Sequence, residues 1–447
     1  MGNALIHGII MWNTTYRKRI MPLTVSLAIL LLWTAPVMAA DETGGRLELQ
    51  PLISEALQNN HDVWVTEARS KAASSRIKLA GSLPDPMVMI GYQNEGWNEY
   101  TYGKMQGAQW MYSVSQMFPF AGKRAIKEEM ASRDADTAAA MHRSARLATV
   151  ARVKELYYDL FLVHKSIDLI RERVRLFSNI EEAALARYAA GKGQQQEVLM
   201  AQTEKYMLQE REEMLKQKRV SLEAMLISVT GADRYGPLGR PVELPQTAFS
   251  AQLGDLEVQA LQNSPEIVSR EKMLQASRAG VHMAEKEYYP DLTLTGTVAT
   301  RTGPFQDMWS VTATFNIPLY YKSRQGQALA AAHAMSTAAI HDLAGIKSML
   351  RSNVRDAYSM IKSSEQLMGL YRDGLIPKTY QDFQLSLTGY RSGKIEAITA
   401  ISRLKSLLDY ETSFWTQYAE REKAIARIEA LTGTGDQTGA QGETHAN

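Results

Sequence analysis

The chain of 447 residues contains no cysteine. That absence excludes disulfides, thiolate metal sites, a cysteine nucleophile and a lipid anchor on an N-terminal cysteine. Charge of one sign is also lacking: 50 Lys and Arg face 48 Asp and Glu, for a net charge of +2. Such a balance creates no global field that would gather nucleic acid. Long hydrophobic runs are missing too, since no stretch approaches 18 consecutive apolar residues, so no transmembrane helix is expected. Proline is absent between Pro119 and Pro237, and glycine between Gly122 and Gly191. Without either breaker, residues 123–190 read as one uninterrupted helix, about 100 Å long at 1.5 Å per residue. With 45% hydrophobic and 22% charged residues, the chain has the composition of a folded protein.

Export is written at the N-terminus. Arg17, Lys18 and Arg19 precede an apolar stretch over 23–33, followed by Ala35, Pro36, Val37, Met38 and Ala39. A basic region, a short apolar core and a small-x-small ending describe a signal peptide over 1–39, cleaved after Ala39. A stretch of 11 residues is too short to span about 30 Å of hydrocarbon.

Beyond the signal peptide the chain is one unit written twice. Glu55-Ala-Leu-Gln-Asn-Asn60 returns as Gln259-Ala-Leu-Gln-Asn-Ser264, and Leu83-Pro84-Asp85 as Tyr289-Pro290-Asp291. Phe118-Pro119-Phe120 returns as Ile317-Pro318-Leu319, Tyr188-Ala-Ala-Gly191-Lys192 as Tyr390-Arg-Ser-Gly393-Lys394, and Val229-Thr230-Gly231 as Leu431-Thr432-Gly433. All five matches keep their order at nearly constant offset, the mark of a tandem duplication. The expected organisation is a first repeat over 40–236, a proline- and glycine-rich linker over 237–250, a second repeat over 251–433 and a disordered tail over 434–447. Each repeat reads as helix, two strands, very long helix, tight turn and returning helix. In the first, the opening helix covers 52–83, the hairpin 87–118, the turn 191–193 and the returning helix 194–229. The second uses 256–289, a hairpin over 292–318, a long helix over 322–390, a turn near 393 and a last helix over 395–431. Stacked end to end, the two shorter helices of a repeat match its long one. Pro377 lies inside the second long helix, where a kink is expected. Leu160, Val163, Ile167, Ile170, Val174 and Phe177 keep a 3,4 spacing, which is a coiled-coil seam.

Between the helices the period changes to two. Leu292, Leu294, Gly296 and Val298 alternate with Thr293, Thr295, Thr297 and Ala299, and Trp309, Val311, Ala313, Phe315 and Ile317 alternate with Ser310, Thr312, Thr314 and Asn316. Strands of this length with one apolar and one hydroxyl face suit an outer-membrane barrel. Four strands cannot enclose a lumen, and open edges do not survive in lipid, so the chain must share its barrel with copies of itself. Three copies would supply 12 strands around an aqueous channel. The expected fold is therefore mixed α+β: duplicated long coiled helices forming an α-barrel, plus four strands per chain in a trimeric 12-stranded transmembrane β-barrel.

The duplication, the Leu-Pro-Asp-Pro segment at 83–86, Phe-Pro-Phe-Ala-Gly-Lys-Arg at 118–124 and the two Tyr-x-x-Gly-Lys turns resemble the TolC family of outer-membrane efflux proteins over essentially the whole exported chain. The first two of these motifs look most like its heavy-metal branch. The resemblance implies a homotrimer embedded in outer-membrane lipid, with helices extending into the periplasm. It also implies docking to a periplasmic membrane-fusion adaptor and an inner-membrane pump of the resistance-nodulation-division type. Many relatives carry an acylated N-terminal cysteine, which this chain lacks. In the family the turns form periplasmic tips that meet the adaptor and close the channel. By position these are Tyr188, Gly191, Lys192 and Gly193 in the first repeat and Tyr390, Gly393 and Lys394 in the second. Six residues past the turn glycine an acidic residue is frequent in the family; here the first repeat has Glu197 and the second Thr399.

Other chemistry is sparse. The segment Gly389-x-x-x-Gly393-Lys394-Ile395 is one residue short of a phosphate loop and has no Ser or Thr after the lysine. Eight histidines are scattered, without the three or four convergent ligands of a metal site. Met200, Met207 and Met214 stand at heptad spacing, which reads as seam packing before Cu(I) binding. No catalytic set or cofactor motif is present, so a non-enzymatic exit duct is expected, most readily for heavy-metal cations. A drug-efflux or type I secretion duct and a soluble periplasmic coiled-coil scaffold are the alternatives.

Overall fold

The computed structural model describes residues 45–234 and 236–435. The expected signal peptide and the tail from 436 onward lie outside the described residues. The first half runs β1 (Arg46–Leu47), α1 (Leu49–Asn59), α2 (His61–Gly81), β2 (Met87–Gln93), β3 (Gln109–Phe118), α3 (Lys123–Ala189) and α4 (Gln195–Thr230). The second runs β4 (Arg240–Pro241), α5 (Leu253–Asn263), α6 (Pro265–Lys286), β5 (Leu292–Thr300), β6 (Met308–Phe315), α7 (Gln325–Leu370), a π-helical turn (Tyr371–Leu375), α8 (Ile376–Arg391) and α9 (Ala397–Thr432). No described helix is long and apolar enough to cross a membrane.

Neither opening helix is continuous, contrary to the expectation of single helices over 52–83 and 256–289. Asn60 leaves the helical conformation and its Oδ1 accepts from the amides of Asp62 (2.9 Å) and Val63 (3.1 Å), so it ends α1 and caps α2. In the second half Ser264 takes that position, followed by Pro265, whose ring suits the first turn of a helix and has no N–H to leave unpaired. At Pro377 the strain of a missing amide is absorbed by the π turn just before it rather than by a simple break.

The repeated motifs meet one another. Asn60 Nδ2 donates to the Val229 carbonyl at 2.8 Å, so the break between α1 and α2 sits against the end of α4. There Gly231 closes α4 in the left-handed region at φ +66°, and Gly433 closes α9 likewise at +72°. The methyl of an alanine at 231 would lie 2.7 Å from the carbonyl carbon of Asn59 and closer still to its oxygen; at 433 it would lie 2.8 Å from the oxygen of Asn263.

Between α3 and α9 lies the main core. Phe161, Tyr158, Trp415 and Tyr418 contact edge to face or tilted around Leu156, Leu160 and Val163. The seam residues continue into a second cluster, where Ile170 and Phe177 meet Leu404, Leu407 and Leu408. Met207 and Met214, expected in a seam, are instead 50% and 59% exposed. The segment between the halves is ordered as a strap: β4 pairs parallel with β1, Tyr157 Oη donates to the Leu47 and Val242 carbonyls, and Arg421 Nη2 donates to the Thr247 carbonyl. Arg421 and Glu422 are buried together, with Nη1 2.6 Å from Oε1, and Thr247 donates its amide and hydroxyl to Glu422. Pairing these charges and hydrogen-bonding them to Thr247 offsets part of the penalty of burying them.

His164 on α3 is half-buried beside Arg219 and Arg240. Burial first, then those two cations, push its pKa down to about 4 from 6.5. The folded protein thus refuses a proton that the unfolded chain accepts, so stability is retained above pH 6.5 and lost as the pH falls toward 4. The shift is worth about 3 kcal/mol at full effect, and partial solvent access lowers this to roughly 1–2 kcal/mol. His164→Gln is expected to flatten the dependence of thermal stability on pH between 7 and 4; an unchanged slope would assign that dependence to other groups.

β2, β3, β5 and β6 form one antiparallel sheet in that order. Tyr112 pairs with Ile90 and Val298, and Val298 with Trp309; Val114 pairs with Val88 and Gly296, and Gly296 with Val311. Directly paired residues share a face, so this face is apolar except for Gln116 and Thr300 and is largely exposed. The opposite face carries Ser113, Ser115, Thr293, Thr295, Thr297, Ser310, Thr312 and Thr314, interleaved with Met87, Met89, Met111, Met117 and Met308.

Candidate functional site

At the far end of the helices from the sheet, α3 turns into α4 and α8 into α9 through two equivalent loops. Lys192 N donates to the Arg187 carbonyl at 2.8 Å and Gly191 N to the Tyr188 carbonyl at 2.9 Å. Lys394 N donates to the Gly389 carbonyl at 2.9 Å and Gly393 N to the Tyr390 carbonyl at 3.0 Å. Both are Schellman turns, which need a left-handed residue at the glycine position; φ is +67° at Gly191 and +78° at Gly393.

Similar backbones carry different side chains. Tyr188 is 49% exposed, whereas Tyr390 is fully buried. Tyr390 Oη donates to Glu197 Oε2 at 3.1 Å, joining the second turn to the first turn of α4. Burial, then the bond to Glu197, push the Tyr390 phenol up to about 12. Glu197 sits where its charge complements the amino end of α4. Gly193 packs against Arg187 and Glu197, where an added methyl would lie 3.0 Å from Arg187 Cβ. Lys192 and Lys394 are exposed and lack an ion-pair partner among the described residues.

Arg187 belongs to none of the sequence motifs. Its Nη1 donates to the Tyr390 carbonyl at 3.0 Å, its Nη2 to the Lys192 carbonyl at 2.9 Å, and its guanidinium lies 5.1 Å from the Tyr390 ring centre. One side chain therefore ties both turns together, adding a second hydrogen bond to the Tyr390 carbonyl, which already accepts from Gly393 N, and reaching the Lys192 carbonyl in the first turn. A signal for it exists: position 187 corresponds to Gly389 in the second repeat, so the duplication places an arginine opposite a glycine. An added methyl at 393 would fall 2.9 Å from Arg187 Nη1, which gives Gly393 a second reason to remain glycine. The structure brings together Arg187, Gly193, Glu197, Tyr390 and Gly393, and leaves Tyr188, Lys192 and Lys394 on the surface.

A second junction lies where sheet gives way to helix. Lys123 is 2% exposed; its Nζ donates to the Tyr289 carbonyl at 3.1 Å and to Asp291 Oδ1 at 3.0 Å. The same carboxylate oxygen accepts from the Phe120 amide at 2.7 Å, and the Phe120 and Tyr289 rings stack at 4.5 Å. Among the described residues no cluster of three or more His, Asp or Glu could hold a metal ion.

Known proteins share this architecture. The chain is 21% identical to outer membrane protein OprJ of Pseudomonas aeruginosa, covering 87% of this chain and 84% of OprJ. It is 21% identical to the cobalt-zinc-cadmium resistance protein CzcC of Cupriavidus metallidurans, covering 88% and 91%. The solved outer-membrane channel OprN superposes with a TM-score of 0.75 at 17% identity, covering 86% of this chain and 90% of that one. The sequence profile of the family described as outer membrane efflux protein matches residues 52–232 and again 256–435, one copy for each half of the chain. The chain therefore belongs to the outer membrane efflux protein family, the TolC-type channels that sit in the outer membrane, extend into the periplasm and form the outer part of tripartite efflux systems.

Proposed function

We propose that three copies of this chain close a 12-stranded barrel and that the resulting duct carries heavy-metal cations outward from an inner-membrane pump. The observation that carries the duct is the four-stranded sheet, whose exposed apolar face and two unpaired edge strands need lipid and further strands to be stable. The relationship to CzcC, a cobalt-zinc-cadmium resistance protein, favours cations as cargo. Two repeats, over 40–236 and 251–433, each supply one hairpin and one helical tip, with 237–250 joining them. The tips around Gly191 and Gly393 dock a periplasmic membrane-fusion adaptor, and a resistance-nodulation-division pump supplies the energy. Arg187, Glu197 and Tyr390 hold each protomer's tip in one conformation, and docking shifts the population toward an open one.

The test places the gene in a strain lacking its own metal-efflux outer-membrane channel but retaining the cognate pump and adaptor. Restored growth on zinc, cobalt, cadmium, copper or silver salts is expected. Restored tolerance to organic drugs alone would overturn the cation assignment and leave the duct standing.

A further inference from the structure

We infer that neighbouring protomers are locked by an ion pair between Lys322 of one copy and the Asp85 carboxylate of the next, in the register Phe315 opposite Val88 and Thr314 opposite Met89. The inference deepens the trimeric reading above and rests on it. Its template is inside the chain. At the join between the halves, β3 pairs with β5, and the segment leaving β3 presents Lys123 to the Asp291 that precedes β5. Lys123 is buried by this contact and the Asp291 side chain is 12% exposed.

The duplication supplies the same parts on the two free edges. Pro119 and Pro318 differ by 199 positions, which places Lys322 where Lys123 stands; Asp291 and Asp85 differ by 206, which places Asp85 where Asp291 stands. Both Lys322 and Asp85 are exposed and have no ion-pair partner among the described residues. Neighbours follow the same rule. The stacked Phe120 and Tyr289 become Leu319 and Leu83, which are 75% and 39% exposed in the single chain and would form an apolar contact across the seam.

Register gives an independent check. Ser115 pairs with Thr295 and Val114 with Gly296 in the internal junction. Carried over by the two offsets, these become Thr314 opposite Met89 and Ala313 opposite Ile90 on the neighbouring copy. Within the chain Thr314 already shares the hydroxyl face with Thr293, and Met89 with Ser113. The transferred register therefore joins like face to like face around a closed barrel, whereas a slip of one residue would turn every side chain of the neighbour to the wrong side. The helices leave a matching vacancy. α3 lies against both α2 and α6, whereas α7 lies against α6 and has no buried residue before Leu350. The neighbour's α2 completes α7 as α6 completes α3.

Because the chain has no cysteine, the seam can be probed without background. Met89→Cys with Thr314→Cys in the full-length protein, expressed in outer membranes, should cross-link spontaneously, since directly opposed strand residues have Cβ atoms about 5 Å apart and the compartment is oxidising. Most of the protein should then migrate as covalent dimer and trimer after boiling, and Met89→Cys with Thr312→Cys should remain monomeric. Lys322→Asp should lower the temperature at which the unboiled trimer dissociates, and Asp85→Lys with Lys322→Asp should restore it. A trimer that forms without cross-linking at 89 and 314, or that is indifferent to Lys322→Asp, overturns the seam while the trimeric duct survives. A monomer in unboiled outer-membrane extracts overturns both.

Discussion

Replacing Gly231 with alanine is expected to remove most of the assembled protein from the outer membrane. The left-handed conformation at this helix end costs a non-glycine residue about 1–2 kcal/mol by itself. Here the new methyl would also press on the Asn59 carbonyl, and backbone cannot swing aside as a flexible side chain can. Together these effects reach roughly 3 kcal/mol or more per chain, in the range where single changes unfold ordinary domains. The damage falls at the point where Asn60 breaks the opening helix and reaches the Val229 carbonyl, so it loosens α1, α2 and α4 at once. The readout is the amount of heat-modifiable trimer on gels of outer-membrane extract. Gly254→Ala is the control, because nothing lies within 4 Å of its missing methyl and its helical position favours alanine by about 0.5–1 kcal/mol. Equal trimer yields from the two variants would remove the contact between Gly231 and Asn59 as a determinant of folding.

Breaking the tie between the two tip turns should open the channel. Arg187→Ala deletes hydrogen bonds from a charged donor to the Tyr390 and Lys192 carbonyls and the contact with the Tyr390 ring. Bonds to a charged group are worth about 1.5–3 kcal/mol each where water is excluded, and less at this partly exposed tip. Even about 1.4 kcal/mol per protomer multiplies the open-to-closed ratio about tenfold, and three protomers act on one aperture. Single-channel conductance in a planar bilayer should therefore rise strongly for Arg187→Ala. Tyr390→Phe loses only the bond to Glu197 and should show a smaller increase. Because Arg187 and Tyr390 touch, the double variant should open less than the two increments combined. Alkali offers a route without mutation. With the phenol raised from 10 to about 12, its stabilising proton is held below pH 10 and lost as the pH rises toward 12, so wild-type conductance should increase across that interval and Tyr390→Phe should not respond. Equal wild-type and Arg187→Ala conductances would mean that closure lies elsewhere along the duct.

The asymmetry between the tips has a general meaning for a duplicated chain. Two copies of one turn keep their glycines because both backbones require positive φ, but their flanking residues are free to specialise. Arginine at 187 against glycine at 389, and an exposed Tyr188 against a buried Tyr390, show the two turns dividing the work of donor and receiver. At the membrane end the two halves have done the opposite. Lys123 and Lys322, like Asp291 and Asp85, keep the same chemistry, as the proposed seam between protomers requires.

Much of this protein is determined by sequence alone, wherever the cause is local or periodic. The absence of breakers between Gly122 and Gly191 yields α3 within one residue of its expected end, and period-two alternation places β5 and β6 within two residues of where they form. The turn glycines follow from chain reversal. The Asn60 break is legible in principle from its capping side chain, and the Ser264 break from Pro265. Contacts that join distant segments were decided by the tertiary structure. Nothing near position 187 in the chain announces that its guanidinium will meet Tyr390, 203 residues away, or that Lys123 will be buried against Asp291, 168 residues away. Such partners are chosen when α3 packs beside α6 and α8, because packing brings carbonyls, carboxylates and rings into range that no local propensity encodes.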